Sequence, residues 1–188
     1  MKKMKIVPTT ERWNEGERDW SYVEDCRADL MRWEGEVGLK LPAEYREFML
    51  RYNGGRVHPR MFIHTIPIEA IPSASNKTYV NVIYRWRIVE SHWKGTTYGM
   101  GVPPQHIVFG GTPGAIQLLM SLNPNDYGKI FAWVHSTNIW GTDNNDRAYF
   151  QSDGFHSFLR SLFDDEDGSD YKSWRTPTYD RLAKELEV

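Results

Sequence analysis

At 188 residues the chain suits one domain, long enough to bury roughly 70% of the surface its unfolded form exposes. Its formal charge of −2 argues against a general nucleic-acid binder, which shows a basic surplus. The single cysteine excludes an internal disulfide framework and suits a reducing compartment, and no stretch approaches the length of a membrane span.

Residues 1–19 read as a polar N-terminal segment, an extended tail or a sheet edge, ahead of one domain over 20–188. Lys2, Lys3 and Lys5 make a basic start, but Pro8 to Asp19 is polar where a signal peptide needs an apolar core, so a cytoplasmic location is expected. A first helix is predicted from Ser21, because Ser21-Tyr22-Val23-Glu24 has the form of a capping box. Val23, Cys26, Leu30, Trp33 and Val37 follow in steps of three and four, one apolar stripe, and Gly38 ends it.

The second helix has both ends written in the sequence. Pro42 fits its first position, where a missing N–H costs nothing. Tyr45, Phe48, Met49 and Tyr52 form the buried stripe, Glu44, Arg46, Glu47 and Arg51 the wet side, and Gly54-Gly55 the left-handed exit. The letters from Gly38 to Gly55, preceded by a helix carrying Trp33, resemble the signature of the SUKH superfamily. That group includes the Smi/Knr-type proteins, the bacterial Syd protein and many bacterial toxin-immunity proteins. The resemblance is strongest over Trp33 to Gly55 and continues loosely through Ile107–Gly114, Gly128–His135 and Phe155–Leu162.

Strand-like material comes next. Met61–Ile66 is short and bounded by prolines, and Tyr79–Glu90 fits either a strand by alternation or a helix by length. Ile107–Phe109 leads into a Gly110–Gly114 turn and then Ala115–Leu122. The turn-forming stretch Asn123–Gly128 joins that segment to Lys129–His135 as a hairpin with a long loop. Lys129–His135 is apolar on both faces, as in a central strand covered twice. Ser136–Arg147 is a polar loop and Ala148–Gln151 a short strand. A third helix is predicted from Gly154 with Phe155, Phe158, Leu159 and Leu162 inward. An acidic loop spans Asp164–Asp170. Thr176-Pro177 opens a last helix, with Tyr179, Leu182, Ala183 and Leu186 inward. The expected fold class is α+β: two N-terminal helices, a mostly antiparallel twisted sheet, and C-terminal helices packed on it.

Catalytic chemistry finds no foothold. His58 and His64 lie too far apart for a helical metal pair, nothing in the spacing forces His135 together with Asp143 or Asp146, and neither Cys pairs nor a His-Glu-x-x-His motif occur. Cys26 sits on an apolar stripe, where a thiol packs as a small hydrophobe. Gly110–Gly114 lacks the ending that grips phosphate, Gly99-Met100-Gly101 lacks a third glycine, and there is no Gly-x-Ser-x-Gly elbow. No enzyme activity, cofactor or metal is expected.

Binding is the better-supported class. Eight tryptophans are many for this length, and Trp93, Trp140 and Trp174 stand in segments that read as exposed. The plain use of Asp164–Asp170 is a solvated loop at a helix end. The resemblance implies a sharper one: an immunity protein that neutralises a cognate toxin by direct contact, with nucleases and their basic clefts among the toxins such proteins oppose. Asp164, Asp165, Glu166 and Asp167 would then mimic phosphate, with Trp140 or Trp174 beside them. The alternative is a housekeeping interaction module that binds a cellular protein. Either way the partner is a protein, without direct nucleic-acid or membrane binding. Specificity is expected in exposed loops rather than in Leu41–Gly55.

Overall fold

The computed structural model describes residues 3–8, 20, 23–24, 26–67, 75–95, 102–114, 116–134, 148–165, 181–186 and 188. After β1 (Met4–Val7) come the paired helices α1 (Cys26–Val37) and α2 (Ala43–Tyr52), then β2 (Arg56–His58), β3 (Met61–Ile63), β4 (Lys77–Tyr79) and β5 (Val82–Ile83). The remainder is α3 (Trp86–Trp93), β6 (His106–Gly111), β7 (Ile116–Ser121), β8 (Ile130–Val134), β9 (Ala148–Ser152), α4 (Phe155–Ser161) and β10 (Lys184–Leu186). The strands form three antiparallel sheets ordered β10-β1-β2, β3-β4 and β5-β6-β7-β8-β9. The class is α+β, as the sequence predicts.

The core follows from alternation along the five-stranded sheet. Ile107, Phe109, Leu118, Met120 and Ile130 face one way, into a cluster with Tyr45, Phe48 and Met49 of α2 and Phe155, Phe158 and Leu159 of α4. Phe109 meets Tyr45 and Phe155 edge-on at 5.8 and 5.7 Å, the geometry that aromatic quadrupoles favour. Val108, Leu119 and Trp133 point the other way and form a smaller buried cluster. So β8 is apolar on both sides, with Ile130 in the main core and Trp133 in the opposite cluster. Trp33 bridges α1 to α3, its ring 5.2 Å from Trp86 and 5.3 Å from Trp93.

The exit from α2 is more elaborate than a single glycine. Asn53 is itself left-handed (φ 45°) and donates its N–H to Met49 O at 2.8 Å, closing the helix. Asn tolerates this region better than other residues that carry a Cβ. Its Oδ1 then accepts the Trp86 N–H at 2.8 Å and caps α3, whose own N-cap residue, Arg85, makes no such bond. Gly54 (φ 83°) and Gly55 (φ 146°) follow. A Cβ on Gly54 would lie 2.7 Å from backbone atoms of Ile83 and Tyr84, and one on Gly55 would lie 2.8 Å from Ile6 and Val7. Gly55 and Ile83 exchange two backbone hydrogen bonds at 2.9 Å, which stitches the turn to β5.

Several expectations need correction. Met4–Val7 is no tail or edge: β1 is the middle strand of its sheet, between β2 and β10, with Met4, Ile6 and Val7 buried. Of the described residues in the C-terminal segment, Arg181 and Leu182 are helical, and Lys184–Leu186 is not the end of a helix but pairs with β1 as β10. Tyr179 lies outside the described residues. The first helix starts at Cys26, while Val23 sits in a turn closed to Trp20 O, and Ser21 lies outside the described residues. Pro42 occupies the N-cap of α2, one place earlier than predicted. Tyr79–Glu90 divides into strand and helix, because β5 ends at Ile83 and α3 begins at Trp86. Gly110 and Gly111 belong to β6, across a bulge from β7.

Phe48 is buried among Tyr45, Tyr52 and Phe155. Phe48→Ala should therefore destabilise the protein by about 3–5 kcal/mol in urea unfolding. A variant that unfolds at the parent's midpoint would place the ring in solvent. Gly54→Ala adds a Cβ to a left-handed residue and drives it into the β5–α3 backbone, so its midpoint should drop as well. Gly35→Ala, in α1 with open space around it, is the control and should leave the midpoint unchanged or raise it.

Candidate functional site

The acidic segment leaves α4 along a fixed path. Leu162 is extended, and Phe163 exchanges backbone hydrogen bonds with Met61 at 2.9 and 3.0 Å, which ties the chain to β3. Asp164 and Asp165 emerge from that bridge. Asp164 Oδ1 lies 3.1 Å from His58 Nε2 on β2, and Asp165 Oδ1 accepts a hydrogen bond from Lys77 Nζ on β4 at 2.9 Å. Two of the sequence-selected carboxylates thus sit together at the margin of the two small sheets, each beside a basic side chain. Glu166, Asp167, Trp140 and Trp174 lie outside the described residues. Trp93 is half-buried against Trp33 rather than exposed.

Carboxylates that sequence patterning passes over do much of the positioning. Glu34, buried on α1, accepts hydrogen bonds from the Leu41 N–H (3.2 Å), Arg46 Nε (3.3 Å) and Lys40 Nζ (3.4 Å), fastening the α1–α2 link. Glu44 accepts the His156 N–H at 3.0 Å and so caps α4, where Gly154 offers no side chain. Both are visible in the sequence as acids near a helix end, Glu34 in the last turn of α1 and Glu44 in the first turn of α2, but their partners lie outside their own helices.

Cys26 is buried, and burial, helped by nearby Asp29, pushes its thiol up to about 12, far from the thiolate that nucleophilic chemistry needs. Among the described residues no three His, Cys, Asp or Glu side chains converge as metal ligands would. His135, Asp143 and Asp146 lie outside the described residues. The free edge of the five-stranded sheet at β9 is covered: Gln151 Nε2 donates to Ile63 O at 2.8 Å, its Oε1 accepts the Thr65 N–H at 3.3 Å, and Thr65 Oγ1 donates to Phe150 O at 2.6 Å. Side chains there take the place of an added strand.

A model of the SMI1 / KNR4 family (SUKH-1) matches residues 27–161, from the first turn of α1 through α4. No curated protein matches the sequence.

His92 gives this fold a pH dependence. It is buried on α3 with its ring edge-on to Tyr84 at 5.1 Å, and burial pulls the imidazole down to about 4, with a hydrogen bond to the Val108 backbone working the other way. The unfolded chain, titrating near 6.5, takes up the proton first, so stability is lost as pH falls from about 6.5 towards 4 and is unaffected by this group above that window. Urea midpoints recorded between pH 7 and 4 should fall less steeply for His92→Gln than for the parent. Parallel slopes would assign the loss to other groups.

Proposed function

The chain belongs to the SMI1 / KNR4 family (SUKH-1), and from that membership we infer that it is a protein-binding domain whose task is recognition rather than chemistry. The buried, raised thiol of Cys26 supports the second half of that statement. No helix among the described residues is long and apolar enough to cross a membrane.

More narrowly, we propose an immunity protein that acts in the cytoplasm and neutralises a cognate bacterial toxin by direct contact, the toxin being a nuclease with a basic cleft. The observation that carries this reading is the acidic run that starts at Asp164. Its first two carboxylates leave a backbone bridge that holds their starting point rigid, and clustered carboxylates on a rigid base steer fast association with a basic cleft. Their neighbours His58 and Lys77 hold the pair in place, and the Lys77 ammonium also takes up part of its charge. The proposal therefore leans on Glu166 and Asp167 for the remainder.

The test starts from the gene neighbourhood, where a toxin gene beside this one is expected. Co-expression with that toxin should leave cells alive with the parent protein. Reversing Asp164, Asp165, Glu166 and Asp167 to lysine should abolish protection, slow association and weaken its salt dependence. Loss of the two part-exposed ion pairs should lower stability by no more than about 1 kcal/mol each. Full protection by the reversed variant would move the interface elsewhere, and a neighbourhood without a toxin would favour a housekeeping module.

A further inference from the structure

The contacts that hold β10 read its backbone more than its side chains. It pairs with β1 so that Met4 lies opposite Leu186, Lys5 opposite Glu185 and Ile6 opposite Lys184. Tyr52 of α2 donates its hydroxyl to Glu185 O at 3.0 Å, and the Trp20 indole N–H donates to Leu182 O at 2.9 Å. Within the strand Leu186 is buried, while Lys184 and Glu185 are exposed. The Lys184 ammonium lies 4.3 Å from the centre of the Trp20 ring, a cation–π contact from the same face of the strand as Leu186.

Main-chain bonds of this kind can be made by any extended segment, so selectivity falls to the two side chains on the inner face. The seat of Leu186 has room for more than a leucine. A groove of about 510 Å³ opens beside it, with Met4, Phe48, Tyr52 and Val188 on its apolar walls. An aromatic ring at this place would remove more of that apolar surface from water than leucine does. The native strand is therefore not the best occupant of its own seat, which favours a partner segment over the β10 of a second copy. With one buried side chain in the strand, β10 has little to hold it against a competitor. Its departure would leave β1 still paired with β2.

We propose that the β1 edge is a strand-accepting site which β10 covers, and that an extended partner segment displaces it, carrying a cationic residue two places before a large aromatic one. This deepens the protein-binding reading, on which it rests, and uses none of Asp164–Asp167, so separate variants test the two. The probe is a fluorescein-labelled peptide of residues 181–188 with Leu186→Phe, titrated against the full chain and followed by anisotropy and backbone amide shifts. Shifts should cluster at Met4, Lys5, Ile6 and Glu185. The unaltered peptide should bind about threefold or more weakly, and a Leu186→Asp peptide about tenfold or more weakly. In the full chain, Leu186→Ala loosens the cover and should tighten binding of the probe about tenfold, because the accepting state becomes more populated. Asp164→Lys with Asp165→Lys should leave binding unchanged. Thermal unfolding checks that the Leu186→Ala chain is folded. If it is not, Lys184→Ala, which removes the contact with Trp20, is read in its place, with a gain of about twofold. An absence of binding, shifts on another face, no gain in the loosened chain, or equal affinity of the Leu186→Asp peptide would overturn the proposal. So would an unaltered peptide that binds as tightly as the probe, or a concentration-dependent dimer that the peptide dissociates, since the occupant would then be the β10 of a second copy.

Discussion

Three consecutive residues of positive φ, Asn53, Gly54 and Gly55, turn the chain out of α2 and bring β1, β5 and α3 within van der Waals reach of its backbone. The close approach is possible only because two of the three lack a side chain: a Cβ at Gly54 would part the turn from β5 and the start of α3, and one at Gly55 would part it from β1. The third residue has the opposite requirement. A glycine at 53 would adopt the left-handed conformation more easily but would leave the Trp86 N–H without the Asn53 Oδ1 that caps α3. One turn thus ends one helix, starts another and sets the contact between two sheets. Displacing it would disturb the Trp33–Trp86 contact and the Gly55–Ile83 bridge together.

This constraint divides α2 into a face that cannot change and one that can. Tyr45, Phe48, Met49 and Tyr52 are fixed by the aromatic cluster and by the turn that follows them. Ala43, Glu47 and Arg51 are exposed and take no part in the core. The family match covers α1 to α4 and with them the whole five-stranded sheet, but it leaves β1 and β10 outside. These two strands pack Met4, Ile6 and Leu186 into the same core as the matched elements, so the flanking segments complete the fold rather than decorate it.

Where sequence and structure agree, the determinants are local. The α2 stripe, the hairpin through Asn123–Gly128 and the doubly apolar β8 need only neighbouring residues to be read. Where they part, a distant partner decides. Lys184-Glu185-Leu186 is made of helix-favouring residues, yet pairing with β1 overrides a propensity worth only tenths of a kcal/mol per residue. Met4–Val7 is too short and too interrupted by lysine to announce a strand that draws its stability from neighbours on both sides. The same distinction governs the candidate surfaces. The acidic run was legible because its charges adjoin in sequence, whereas His58 and Lys77 beside it were not.

The pairing of β1 with β10 has a consequence for how the protein is made. Met4 lies opposite Leu186, so β1 is synthesised long before the strand that satisfies its second edge. Until then β1 can pair only with β2, and its remaining backbone donors and acceptors, with apolar Met4 and Ile6 beside them, stay open to any extended chain nearby. Closing a contact of this sequence separation carries a large loop entropy, which makes it a late step in folding. A newly made chain is therefore most exposed to mispairing at β1, during the interval when α1, α2 and the five-stranded sheet are already able to assemble.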